Sequence, residues 1–199
     1  MIAVVRTGTA NLASVLAGFR RLGTEAVVTE DPDVVRRADR VVLPGVGTFG
    51  ASLAALRAHG ADAAIVERVA ADRPTLCVCV GLQMLAEASE ESPGAVGLGV
   101  VPGVVTRFVP HAQPLVRVPQ LGWNLVEPEP GCTLPPGFVV FANSYKLDAL
   151  PPGWTGALAH HGAPFVAAIQ RGHVLACQFH PELSGRYGAA LLERFVGVA

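Results

Sequence analysis

Between residues 2 and 90, short apolar runs alternate with stretches of helical period, and this alternation limits the fold more than any other feature. Ile2–Val5, Ala26–Thr29, Arg40–Leu43 and Thr75–Val78 read as strands. Between them, Asn11 can cap a helix running to about Leu22, with Leu12, Val15, Leu16 and Phe19 on one face and Gly23 at its end. Asp31-Pro32-Asp33 opens a short helix by placing a cap before a proline. Helical stretches are expected over about Thr48–Ala58 and Ala61–Ala71, and a further one from Cys79 to about Glu90. Strand–helix alternation of this kind builds a parallel sheet with helices on both faces. In such sheets the chemistry collects at the carboxyl ends of the strands. The Pro44-Gly45-Val46-Gly47 loop and Cys79 both fall there.

The second half reads differently. Gly and Pro are dense from about Ser92 to Pro136, and β-rich segments follow at Val104–Val109, Trp123–Val126, Phe138–Ala142, Ala157–His160, Pro164–Ile169 and Val174–Phe179. These predict antiparallel or mixed strands beside the parallel sheet or extending it, closed by a helix over about Gly185–Phe195. A chain of 199 residues, 51% hydrophobic and 16% charged, is read as a single domain, residues 1–199. A net charge of −1 without long basic runs argues against nucleic acid or an anionic membrane as partner. Fourteen of the 15 basic residues are Arg, and Lys146 is the one lysine; coding bias explains the skew. No apolar run has the length of about 18 residues that a membrane span needs, and Met1–Arg6 resembles a first strand rather than a signal peptide. Four cysteines, at 77, 79, 132 and 177, follow no disulfide spacing, so a reducing, cytoplasmic setting is expected.

Two segments carry the chemistry. Cys79, in Cys77-Val78-Cys79-Val80-Gly81-Leu82-Gln83, stops a strand in a tight turn with a helix behind it. The N–H of Val80 then points where an oxyanion would form. The plain alternative is a buried structural cysteine. About a hundred positions on, Gln178-Phe179-His180-Pro181-Glu182 sets His180 and Glu182 two residues apart. Pro181 argues for a strand end, where positions i and i+2 share a face, so Glu182 can steady the imidazole. A nucleophile, a base and an orienting carboxylate form the minimum set for thiol-based acyl transfer. A metal site from Cys77, Cys79 and His180 lacks a second cysteine pair. The glycines of Pro44–Gly47 let a peptide donate N–H to an anion, although such loops are also ordinary turns.

Cys-x-Cys-x-Gly-x-Gln followed by Phe-His-Pro-Glu resembles the class I glutamine amidotransferases, whose triad is Cys-His-Glu. Further segments resemble one branch, the glutaminase subunits of imidazole glycerol phosphate synthase. They are Asn11-Leu12-x-Ser14-Val15, Leu43-Pro44-Gly45-Val46-Gly47-x-Phe49-Gly50, Gly97-Leu98-Gly99-x-x-Pro102-Gly103, Val118-Pro119-Gln120-Leu121-Gly122-Trp123-Asn124, Ala142-Asn143-Ser144-Tyr145 and His180-Pro181-Glu182-x-Ser184-Gly185. The resemblance implies the family's three-layer α/β fold: a central, mostly parallel sheet flanked by helices, with extra antiparallel strands in the second half. It implies glutamine as substrate, Cys79 as nucleophile, His180 as acid and base, and Glu182 as its orienter. An oxyanion hole would come from Val80 and the Gly45, Val46 and Gly47 peptides, and glutamine would be held by Gln83, Asn143, Ser144 and Tyr145. No cofactor or metal is implied.

A partner is expected on separate grounds. Free ammonia is mostly protonated at neutral pH, and this chain has little room for a second active site. An ammonia-making enzyme of this size therefore needs an acceptor docked close by. The family supplies a (β/α)8-barrel cyclase subunit, forming a heterodimer in histidine biosynthesis. Asn11, Pro119, Gln120, Gly122, Trp123 and Asn124 are the candidate contact residues, although Trp123 in the core is the competing reading. Arg6 to Ala10, Cys77 and Leu183 depart from the family pattern without touching the triad. Alternatives are a glutaminase of another pathway such as pyridoxal phosphate synthesis, a non-catalytic module on the same scaffold, and a stand-alone thiol hydrolase.

Overall fold

A computed structural model describes residues 1–8, 11–111 and 116–197. Thr9 and Ala10, part of the departing turn after the first strand, lie outside the described residues. The first half runs β1 (Ile2–Val5), α1 (Leu12–Arg21), β2 (Ala26–Thr29), α2 (Pro32–Arg37), β3 (Arg40–Leu43), α3 (Phe49–Ala58), α4 (Ala61–Ala70), β4 (Thr75–Val78) and α5 (Val80–Met84). The caps behave as their chemistry requires. Asn11 accepts from the Ser14 N–H at 3.3 Å, and Asp31 from the Asp33 N–H at 2.8 Å, ahead of Pro32 at the first turn.

The second half adds β5 (Ala88–Ser89), β6 (Val104–Arg107), β7 (Gln120–Pro128), β8 (Gly137–Asn143), β9 (Tyr145–Lys146), β10 (Thr155–His161), β11 (Ala163–Arg171) and β12 (Val174–Cys177). A 3-10 turn, Pro181–Leu183, leads into the last helix, α6 (Gly185–Val196). Nine strands form one sheet in the order β2-β1-β3-β4-β12-β11-β10-β7-β8. The first five run parallel and the rest antiparallel, so the second-half strands extend the parallel sheet. The strands β5, β6 and β9 form a small separate sheet.

The position of β12 matters most. It returns from the end of the chain to lie parallel to β4, with Cys177 opposite Val78. The residues that follow both strands therefore emerge side by side at one edge. The strands β1, β4 and β12 are buried along their whole length, as expected for parallel strands covered on both faces.

One helix is shorter than the sequence predicts. The helix α5 stops at Met84, not near Glu90. The carbonyls of Met84 and Leu85 accept from Leu98, Val100 and Val101 instead of from the next helical turn. The chain at Gly97 lies so close that a Cβ there would sit 1.9 Å from the Ala86 oxygen. A distant segment ends the helix, so local propensity could not reveal it.

Candidate active site

Cys79 has φ 55° and ψ −110°, a positive φ that costs a non-glycine residue free energy and persists only when its surroundings enforce it. They do so from three sides. The Cys79 N–H donates to the Cys177 carbonyl at 2.8 Å, and the Cys79 carbonyl accepts from Gln83 N–H at 3.2 Å. Behind the turn, a Cβ at Gly81 would lie 2.1 Å from the Leu43 oxygen, so only glycine lets α5 approach β3 this closely. The Pro44–Gly47 loop rests on the same turn, since a Cβ at Gly45 would be 2.7 Å from that of Val80.

Directly after β12, His180 is extended and Pro181 starts the 3-10 turn. The sequence places Glu182 on a strand end; it lies instead in this turn. The separation of two residues still brings the carboxylate to the ring, with Glu182 Oε1 2.9 Å from His180 Nδ1. Both side chains are buried. The main chain around them is stitched to β8. The His180 N–H donates to the Val140 carbonyl, while the Ser184 hydroxyl donates to the His180 carbonyl and accepts from the Val140 N–H. Burial disfavours a charged imidazole, yet hydrogen bonds to Cys79 and Glu182 and their negative charge outweigh it, raising the His180 pKa to about 10. Cys77, fully buried, is pushed up to about 12 by desolvation, and Cys177 is raised mainly by the same cause. Of the two cysteines at the end of β4, Cys79 is the one beside a histidine.

The sequence pattern of the family described as glutamine amidotransferase class-I matches residues 7–198. The chain belongs to that family. A protein of Symbiobacterium thermophilum named imidazole glycerol phosphate synthase subunit HisH is 40% identical over 196 residues, covering 96% of this chain and 91% of its own. An Arabidopsis thaliana protein named imidazole glycerol phosphate synthase hisHF, chloroplastic, is 35% identical over 98% of this chain, which spans 34% of that longer protein. A glutamine amidotransferase of known crystal structure shares the fold with a TM-score of 0.77 at 23% identity, covering 100% of this chain and 98% of its own. Within the family this amidotransferase sits with the HisH subunits.

In this amidotransferase one cavity of about 230 Å³ is lined by Cys79, His180, Val80, Val46, Gly47, Gln83, Asn143, Ser144 and Tyr145. Glu182 stands behind His180, and Gly45 behind Val80, so neither lines it. Pro119 and Leu121 close one side. Among the described residues no group of three His, Cys, Asp or Glu side chains could hold a metal ion.

The candidate contact residues lie in two places. Asn11 is exposed at the start of α1. Pro119, Gln120, Gly122, Trp123 and Asn124 line a shallow depression together with Leu121, His160 and His161. Trp123 is 59% exposed, so it is not a core residue. Asn124 is occupied internally, donating to the His160 carbonyl. Gln120 is buried, and its Oε1 has no hydrogen-bond partner among the described residues.

Three residues here escaped the sequence reading. Gln178 shares the parity of His180 on an extended segment, a signal that was available. Leu121, 72% exposed, sits two residues before Trp123 on the same face of β7. Glu91 gave no signal: it follows β5 in a turn, lines the cavity, and its carboxylate accepts from Phe49 N–H at 2.7 Å at the start of α3.

Proposed function

We propose that this chain hydrolyses glutamine at Cys79 and supplies the ammonia to a docked cyclase subunit that forms imidazole glycerol phosphate. The observation that carries the reading is the placement of Cys79 and the His180–Glu182 pair at the ends of adjacent parallel strands, around one cavity. The Cys79 thiolate attacks the side-chain carbonyl carbon of glutamine. The C–N bond breaks as the His180 imidazolium gives its proton to the departing nitrogen, leaving ammonia and a thioester. Neutral His180 then takes a proton from water, whose oxygen attacks the thioester and releases glutamate and the thiolate. Glu182 holds the ring at Nδ1 and stabilises its charge. The Val80 N–H and a peptide N–H of the Gly45–Gly47 loop receive the oxyanion.

Gln83 and the Asn143–Tyr145 segment hold the substrate. Glu91 is the one acidic side chain lining the cavity among the described residues, which suits it to the α-ammonium of glutamine. Partner docking is supported by the outward face of β7 and β8, where Leu121, Trp123 and Phe138 are exposed and Leu121 also lines the cavity. The subunit name of the Symbiobacterium relative, and the length of the Arabidopsis hisHF protein beyond the matched third, support a second catalytic unit alongside. We assign that unit as a (β/α)8-barrel in a cytoplasmic heterodimer. No helix among the described residues is long and apolar enough to cross a membrane.

The test is a glutaminase assay of the chain alone, with a cyclase subunit, and with the cyclase and its nucleotide ligand. Hydrolysis is expected to be slow alone and to rise steeply with both present. Full activity of the lone chain refutes the coupled reading.

A further inference from the structure

One buried side chain without a role so far touches the sulfur of Cys79. Gln178, fully buried just after β12, donates from Nε2 to Cys79 Sγ at 3.5 Å. Its Oε1 accepts from Gln83 Nε2 at 2.9 Å. The same Gln83 nitrogen donates to the Tyr145 carbonyl at 3.0 Å.

An isolated carboxamide can be turned over, exchanging donor and acceptor. This pair is anchored. The Tyr145 oxygen is a main-chain carbonyl and can only accept, so it fixes the NH2 end of Gln83 beside it. The second hydrogen on that nitrogen requires an acceptor, which is Gln178 Oε1. The NH2 of Gln178 is then left facing the sulfur. A backbone oxygen in β9 thus sets the direction of hydrogen bonding across two side chains and up to Cys79.

A fixed donor binds a thiolate more strongly than a thiol. We propose that Gln178 is a positioning residue that aims the Cys79 sulfur and holds it as the thiolate, with its own orientation enforced through Gln83 and Tyr145. This rests on the reading of Cys79 as the nucleophile. The other titratable groups around the sulfur are His180 with Glu182 behind it, Cys77 and Cys177 on the two strands, and Glu91 and Tyr145 across the cavity. Gln178 donates an N–H to the sulfur, and His180 is the neighbouring group whose pKa is raised by Cys79. The two differ in kind. His180 gives up its proton during turnover, whereas an amide keeps its hydrogens throughout. Gln178 therefore still faces the sulfur with a donor when the thioester breaks and the thiolate must leave.

The pH dependence of Cys79 alkylation by iodoacetamide, read by peptide mapping in the full-length chain, tests this. Cys77 and Cys177 are completely buried while Cys79 opens on the cavity, and the peptide map separates Cys79 from the partly exposed Cys132. Gln178→Leu is expected to move the alkylation profile upward by about one pH unit or more, because hydrogen bonds to charged groups are worth that much. It should lower the glutaminase kcat by about ten-fold or more, with a much smaller change in KM for glutamine. Gln178→Glu keeps the shape and can still accept from Gln83, but it sets a carboxylate against the thiolate, so its shift should be larger. A folded Gln178→Leu with the parent profile overturns the proposal. Should that variant not fold, the profile of Gln178→Glu decides in the same way. Cys79→Ala separates the two layers. If it retains glutaminase activity, the nucleophile reading fails; if it is inactive while Gln178 variants alkylate like the parent, only the present proposal fails.

Discussion

The parallel and antiparallel halves of the nine-stranded sheet differ in how completely their side chains are partnered. In the parallel half, β4 and β12 are wholly buried, and the side chains at their carboxyl ends bond to one another. In the antiparallel half, β7 and β8 turn Leu121, Trp123 and Phe138 outward. On the inward side, Gln120 and Asn143 stand opposite each other in register, each with a buried oxygen that has no hydrogen-bond partner among the described residues. Helices cover both faces of parallel strands, which lets buried groups be held in fixed positions. A two-stranded margin has an uncovered face that suits recognition. An edge-to-face row of Phe108, Phe165, Phe141, Phe179 and Tyr187, with centroids 5.1 to 5.9 Å apart, packs the two halves together.

The largest expected effect tests the buried half. Cys79→Ala should lower glutamine hydrolysis by about a thousand-fold or more, whereas Cys77→Ala should leave most of it. The reverse outcome would move the chemistry to the other cysteine and break the comparison. Glu182→Gln should lower kcat by about a hundred-fold. It removes one of the two negative groups that raise the His180 pKa, so the alkaline limit of the activity profile should move to lower pH.

The exposed half is tested by Trp123→Ala. Affinity for a cyclase partner, measured by titration, should weaken by about 30-fold, because a buried interface tryptophan is a typical hot spot. Stability of the lone chain should change by no more than about 0.5 kcal/mol. A destabilised chain with unchanged partner affinity would make this face structural.

The smallest effect is one of linkage. His180 has a folded pKa of about 10 against an ordinary value of 6.5. Its protonated form therefore contributes stability fully below about pH 6.5, and that contribution is lost as pH rises toward 10. Denaturant midpoints should fall more steeply over this range in the parent than in His180→Asn.

Much of the parallel half was legible because its signals are local. Asn11 and Asp31 mark helix starts, Gly23 marks an end, and the apolar runs Ile2–Val5 and Thr75–Val78 have the length of buried strands. The spacing of His180 and Glu182 was legible too, although not the 3-10 turn that joins them. What failed was decided at a distance. The segment Leu85-Ala86-Glu87 has good helical residues, and only the arrival of Gly97 through Val101 stops the helix. The alternation around Trp123 leaves open which face of β7 is covered, because that depends on what packs against it. Glu91 reaches the cavity through a turn that no periodicity describes.

Glu91 also has a consequence for anyone wishing to alter which amides the cavity accepts. Its carboxylate, proposed above to meet the substrate's ammonium, is the group to remove for a substrate without one. Yet the same carboxylate secures Phe49 through Oε2, and Thr48 makes no side-chain bond to the start of α3. Deleting the side chain outright would fray the helix that follows the Pro44–Gly47 loop. On the ammonium contact proposed for Glu91, Glu91→Gln, which keeps an oxygen for Phe49 and discards the charge, is the substitution expected to change substrate choice without loosening the scaffold.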